Sequence, residues 1–166
     1  MKLKSLPIIL SLTGCLLMVA LGAVKVDFSG KWVMDPSQSQ GIPPGRDQIM
    51  TVTQNGDQIS VVTRVMPPEG PSITLNDDYI ANGEEVEFTQ RPNGQGPKGK
   101  RIVKWSADGR GLEVAEKIVA NTPQGPMNTE VSRKWALAAD GKTLSIETVS
   151  KDQRGETKNL RVFVKK

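Results

Sequence analysis

The chain has 166 residues, 22 basic against 18 acidic, 4% aromatic residues, no histidine and one cysteine, Cys15. Without histidine and with a lone cysteine there is no Ser-His-Asp or Cys-His catalysis, no His/Cys metal site and no intrachain disulfide. Setting aside the two lysines of residues 1–23 leaves twenty basic against eighteen acidic residues, too even a balance for nucleic acid or an anionic membrane surface.

The first element is a leader. Lys2 and Lys4 precede an apolar run from Leu6 to Val24 that closes on Leu21-Gly22-Ala23. A charged start, an apolar stretch and a small-residue site describe a signal peptide over 1–23, with a mature domain over 24–166 that is periplasmic or secreted. Two rival readings stay open. Leu12-Thr13-Gly14-Cys15 fits a lipobox, which would lipidate Cys15, and the uncut run is just long enough to anchor in a membrane. The chain meets a membrane only in those two cases.

From Asp27 onward the apolar period is two, with turn signals every ten to fifteen residues. That spacing predicts an all-β domain and no βαβ units. Ten strands are expected, at about 29–35, 47–54, 58–66, 72–81, 85–90, 100–107, 111–121, 127–138, 142–151 and 156–165. Leu144, Ile146 and Thr148 alternating with Ser145, Glu147 and Val149 exemplify the pattern. The expected architecture is a single antiparallel up-and-down β-barrel of about 8–10 strands.

The connections alternate in kind. Asn55-Gly56-Asp57, Asn82-Gly83, Asp108-Gly109 and Asp140-Gly141 are tight hairpin turns. Residues 36–46, 67–71, 91–99 and 122–126 are longer and mostly rich in Pro and Gly, and 152–155 is a shorter member of that set. In a meander the two kinds fall at opposite ends, a closed floor and a loop-ringed mouth. Strand direction then sends Trp32, Trp105 and Trp135 to the floor and Met34, Met50, Met66 and Met127 to the mouth. A floor of indoles and a rim of flexible thioethers suit the uptake of an apolar molecule. Four methionines also raise Cu(I), which favours thioethers, but an apolar rim accounts for them without metal, and no cofactor is expected.

Three charged residues stand where alternation calls for apolar ones: Glu116 and Arg133 on neighbouring strands, and Asp77 between Leu75 and Tyr79. An inward Glu116–Arg133 pair would anchor a ligand's polar head or serve as a structural pair. The expected ligand contacts are Met34, Met50, Met66, Met127, Glu116 and Arg133. Gly94-Gln95-Gly96-Pro97-Lys98-Gly99 satisfies G-x-G-x-x-G, yet a strand pattern from Arg101 to Trp105 follows it, not the helix N-terminus that holds a phosphate. It reads as a basic loop carrying Arg91, Lys98, Lys100 and Arg101. Lys104-Trp105 through Leu112 echoes Lys134-Trp135 through Leu144, as two similar hairpins do.

Phe28-Ser29-Gly30-Lys31-Trp32 resembles the G-x-W first-strand motif of lipocalins and related calycins. The resemblance implies that Gly30 permits close backbone approach, that Trp32 packs across the closed end, and that a late-strand arginine, here Arg161, packs on that indole. Together with Trp135 to Leu144, ending in Asp-Gly-Lys-Thr-Leu, the mature chain is also similar to small exported bacterial lipocalin-like domains. It departs from lipocalins in strand number, in the early Asp78-Tyr79 pair, and in lacking a C-terminal helix and a disulfide. The leading functional expectation is a non-enzymatic cell-envelope barrel for a small hydrophobic or amphipathic ligand. The alternatives are an interaction module whose loops meet an envelope protein partner, and a small-molecule isomerase or cyclase using Glu116 or Asp77.

Overall fold

A computed structural model describes residues 25–89, 96–123 and 125–166. The leader and residues 90–95, the start of the G-x-G-x-x-G loop among them, lie outside the described residues. Ten strands follow one another: β1 (Gly30–Met34), β2 (Asp47–Asn55), β3 (Gln58–Met66), β4 (Ile73–Ile80), β5 (Glu85–Thr89), β6 (Lys98–Trp105), β7 (Gly111–Thr122), β8 (Gly125–Leu137), β9 (Thr143–Asp152) and β10 (Gly155–Lys165). No helix occurs among the described residues. The alternation of buried and exposed positions, as in Val103, Leu112, Val114, Leu144 and Ile146, is the period read from the sequence.

The strands form one antiparallel sheet in the order β4-β3-β2-β1-β10-β9-β8-β7-β6-β5, curled into a half-barrel. The chain runs up and down as expected, and its two ends are joined, with Trp32 opposite Lys165 and Met34 opposite Phe163. The break falls elsewhere. β4 and β5, consecutive in the chain, are the two edges of the sheet. The Asn82-Gly83 connection therefore does not close a hydrogen-bonded hairpin. Its backbone donors go to other partners: Ala81 N donates to the Asp57 carbonyl and Gly83 N to the Val103 carbonyl. The other tight turns are true hairpins, Asn55 pairing with Gln58 across the first.

The floor is plugged by the segment preceding β1. Phe28 is fully buried; it stacks on Trp105 and meets Trp135 edge-on, with ring centroids 5.9 and 5.7 Å apart. Gln54 fastens this segment by donating to the Val26 carbonyl and accepting from Phe28 N. Trp32 Nε1 donates to the Phe28 carbonyl at 2.9 Å, and Trp105 Nε1 to Asp57. Gly30 sits at φ 137°, a backbone that disfavours any side chain, which explains its place in the motif. The cation above Trp32 is Lys165, 5.2 Å from the ring centroid, and not Arg161. Lys165 faces Trp32 across the β1–β10 ladder, whereas Arg161 lies four residues earlier on the same inner face.

The separation of indoles from thioethers does not hold. Met50 is the direct cross-strand partner of Trp32, and Met34, Met50, Trp32 and Trp135 belong to one apolar core. The reason is stagger: a curled sheet shears its strands past one another, and five-residue β1 brings Trp32 level with the fourth residue of β2.

Candidate functional site

A belt of charge crosses the inner wall above the aromatic floor. Arg101 enters it from β6, because Gly99, Arg101, Val103 and Trp105 share one face. Its Nε donates to Glu116 Oε1 on β7 at 2.6 Å, its Nη2 to Asp77 Oδ1 on β4 at 2.8 Å, and its Nη1 to the Asp78 carbonyl at 3.1 Å. The guanidinium lies between the Tyr79 and Phe88 rings, 4.6 and 4.1 Å from their centroids. Glu116 Oε2 accepts from Arg133 Nη1 on β8 at 2.8 Å. The Glu116 side chain is 1% exposed and that of Arg101 5%, so both charges depend on these bonds.

Beyond Arg133 the belt continues through its cross-strand partner Thr148 on β9 to Asn159 on β10, which accepts from Arg161 two residues on. No carboxylate pairs with Arg161 among the described residues. Its Nη1 donates to Asn159 Oδ1, and its buried Nε has no partner. Burial pulls the Arg161 guanidinium below its ordinary pKa, and the like charge of Arg133 adds to the effect; both mark a cation short of compensation. Three guanidinia against two carboxylates leave the belt with one positive charge over.

This belt borders a cavity of about 370 Å³, within the range of small-molecule pockets. One wall is apolar and comes from β2–β4: Met50, Val61, Val65, Ile73 and Leu75. The facing wall supplies Arg133, Trp135, Ile146, Arg161 and Phe163, with Asp77 and Tyr79 beside it. Arg46 and Gln48 stand toward the loop-bearing end.

The residues expected from sequence are distributed unequally over this site. Met50 and Arg133 line the cavity. Glu116 lies behind it as the brace between Arg101 and Arg133. Met34 is core, and Met66 is half-buried at the end of β3. Met127 is half-buried with its sulfur 3.5 Å from Arg154 Nη2. None of these three lines the cavity. Arg101, which the sequence counts with the basic loop while placing it in the expected 100–107 strand, is an inward residue of β6, 4% exposed. Its alternation with Val103 and Trp105 was the available signal, masked by the neighbouring Lys98 and Lys100. Arg161 is a cavity residue and not a lid on Trp32. As a general base Glu116 is poorly placed, since guanidinia occupy both of its oxygens.

Two solved binding proteins share the architecture. One is zebrafish ileal bile acid-binding protein complexed with cholic acid, 17% identical, matching 84% of this chain and 98% of that one with a TM-score of 0.56. The other is human cRBP IV, also 17% identical, matching 85% of this chain and 99% of that one with a TM-score of 0.51. At such identity the likeness establishes the calycin-like fold alone. No protein-family model matches the sequence, and no curated protein matches it closely enough to count as a relative.

Proposed function

We propose that this half-barrel is a non-enzymatic carrier for a small amphipathic molecule with an anionic head, working in the cell envelope after export by the 1–23 leader. The observation that carries the reading is Arg161, a cavity-lining cation with no carboxylate partner among the described residues, beside Arg133. An anion placed there would neutralise the belt's surplus charge through charge-assisted bonds. The apolar body would lie against Met50, Val61, Ile73 and Leu75, and the removal of that wall from water supplies the non-directional part of the affinity. The cholic acid complex of the zebrafish protein supports the reading by showing an organic acid bound to a protein of this architecture.

Titration calorimetry with decanoate and decan-1-ol tests it. Decanoate binds the wild-type chain, and Arg161→Met weakens it about 10- to 100-fold, the worth of a charge-assisted hydrogen bond, while decanol is little affected. Equal affinity of the wild type for acid and alcohol, or an Arg161→Met variant that holds decanoate undiminished, sinks the reading. Native mass spectrometry of the chain purified from its own envelope then identifies the natural ligand.

A further inference from the structure

The two edges of the sheet, β4 and β5, share no hydrogen-bond ladder, although they are consecutive in the chain. Such an edge is a row of open backbone groups that must be covered or crossed by side chains. Among the described residues, one side chain makes the crossing. Arg101, rooted on β6, reaches over to β4 and binds both the Asp77 carboxylate and the Asp78 carbonyl, while its Nε is held by Glu116 on β7. Toward the floor the seam is secured by one backbone bond, Gly83 N to the Val103 carbonyl on β6. On the far side of the crossing, the cavity is open to solvent along β4. Ile73 and Leu75 line the cavity, yet they are 55% and 47% exposed. Solvent thus reaches the cavity along the wall beside β4 and is stopped where Arg101 meets Asp77.

We propose that Arg101 is the latch of a lateral slot between β4 and β5, and that the ligand reaches and leaves the cavity through this slot. The latch is built to be released from one side only. The Arg101–Glu116 contact is buried, but Asp77 is 40% exposed on its side chain, so water competes at that end and screens it. Letting go of Asp77 and the Asp78 carbonyl frees the Ile73–Asp77 part of the β4 edge, which then keeps its β3 ladder, while Tyr79 stays packed on Trp135 and Arg101 stays paired with Glu116. The rings of Tyr79 and Phe88 on either side of the guanidinium keep it poised to close again. For its ligand the proposal rests on the anion-binding reading above; for the latch it does not.

Two measurements on the mature chain, in the Asp77→Ala and Arg101→Met variants, decide it. The first is hydrogen exchange read peptide by peptide, which needs no ligand. Exchange of the β4 amides rises about threefold in Asp77→Ala, with exchange in the β7–β8 ladder unchanged, and rises further in Arg101→Met, which also leaves buried Glu116 on β7 short of a partner. The second is stopped-flow uptake of 8-anilinonaphthalene-1-sulfonate, an anionic aromatic probe, whose association rate constant rises about fivefold in Asp77→Ala. A residue that merely stabilised the fold would accelerate dissociation without accelerating association. Unchanged β4 exchange in Asp77→Ala, a half-exposed position whose replacement leaves the core intact, overturns the latch. An association rate that is unchanged or slower overturns the slot as the ligand's route. A wild-type chain that takes up neither the sulfonate nor decanoate overturns the binding reading and the route together, and the exchange result still judges the latch by itself.

Discussion

Replacing Glu116 by glutamine keeps the shape of the side chain and removes its charge. The carboxylate is 1% exposed and accepts from Arg101 and Arg133 at 2.6 and 2.8 Å. Glutamine offers one acceptor and turns an NH₂ group toward the second guanidinium, so a donor faces a donor. Arg133 then has no carboxylate partner among the described residues, and Arg101 keeps only Asp77, which is 40% exposed. Breaking a buried pair from one side in this way costs about 3–5 kcal/mol, a large share of the ~5–15 kcal/mol that holds a domain together. For a domain of this size the melting temperature should fall by about 10–15 °C. Urea unfolding followed by the fluorescence of the three tryptophans measures it, with an unchanged m-value showing that the same surface is exposed. Asp77→Ala is the internal comparison: because its carboxylate is partly solvated, its loss should cost less than about 1 kcal/mol. A Glu116→Gln variant within 1 kcal/mol of wild type, or an Asp77→Ala variant that costs as much, refutes the belt as a buried charge network.

Stability should be flat between about pH 5 and 8, since the chain has no histidine to titrate there. Hydrogen bonds from Ser29 hold Asp27 below the ordinary carboxylate value, and Lys25 followed by Trp105 does the same for Asp57; their contribution is present above the unfolded value near 4 and is lost as pH falls through the folded one, which urea midpoints at pH 7, 5 and 3 would show. Tyr79 is the sole tyrosine, and burial, then the charge of Asp77, pushes its phenol above the ordinary value. Native protein should therefore show no phenolate absorbance at about pH 11, and its stabilisation by the neutral phenol, full below about pH 10, is lost as pH climbs beyond; phenolate appearing near pH 10 with the sheet intact contradicts this placement. Gly111 lies against the Trp135 carbonyl, so a Cβ there would collide with backbone. Gly111→Ala should cost about 2–3 kcal/mol in thermal melts, whereas Gly56→Ala, at φ 61° with open space around it, should cost about 1 kcal/mol.

The strands were legible from local sequence pattern. The expected 58–66 is β3 to the residue, 72–81 is Ile73–Ile80, and 111–121 is Gly111–Thr122 within one residue. Alternation and turn chemistry are local, and a ten-residue window contains both. Inwardness was legible for the same reason: Glu116, Arg133 and Asp77 stood out against apolar neighbours, and all three face the interior network. Arg101 obeys the same rule inside the expected 100–107 strand, but with Lys98, Gly99 and Lys100 just before it, it counted as one of the loop's charges and not as an inward one.

Which strands meet is a property of the folded sheet. That β1 closes on β10 and that the seam opens between β4 and β5 follow from long-range pairing, for which the Asn82-Gly83 turn gave the opposite local sign. Stagger, equally non-local, put Met50 beside Trp32 and Lys165 over its ring, so that counting residues from each strand's end misjudged depth. Charge compensation is a matter of through-space distance: Arg101 finds Asp77 from 24 positions away, and Arg161 finds no acid at all among the described residues. Periodicity tells each residue which face it joins; the shear and curl of the whole sheet tell it whom it will touch.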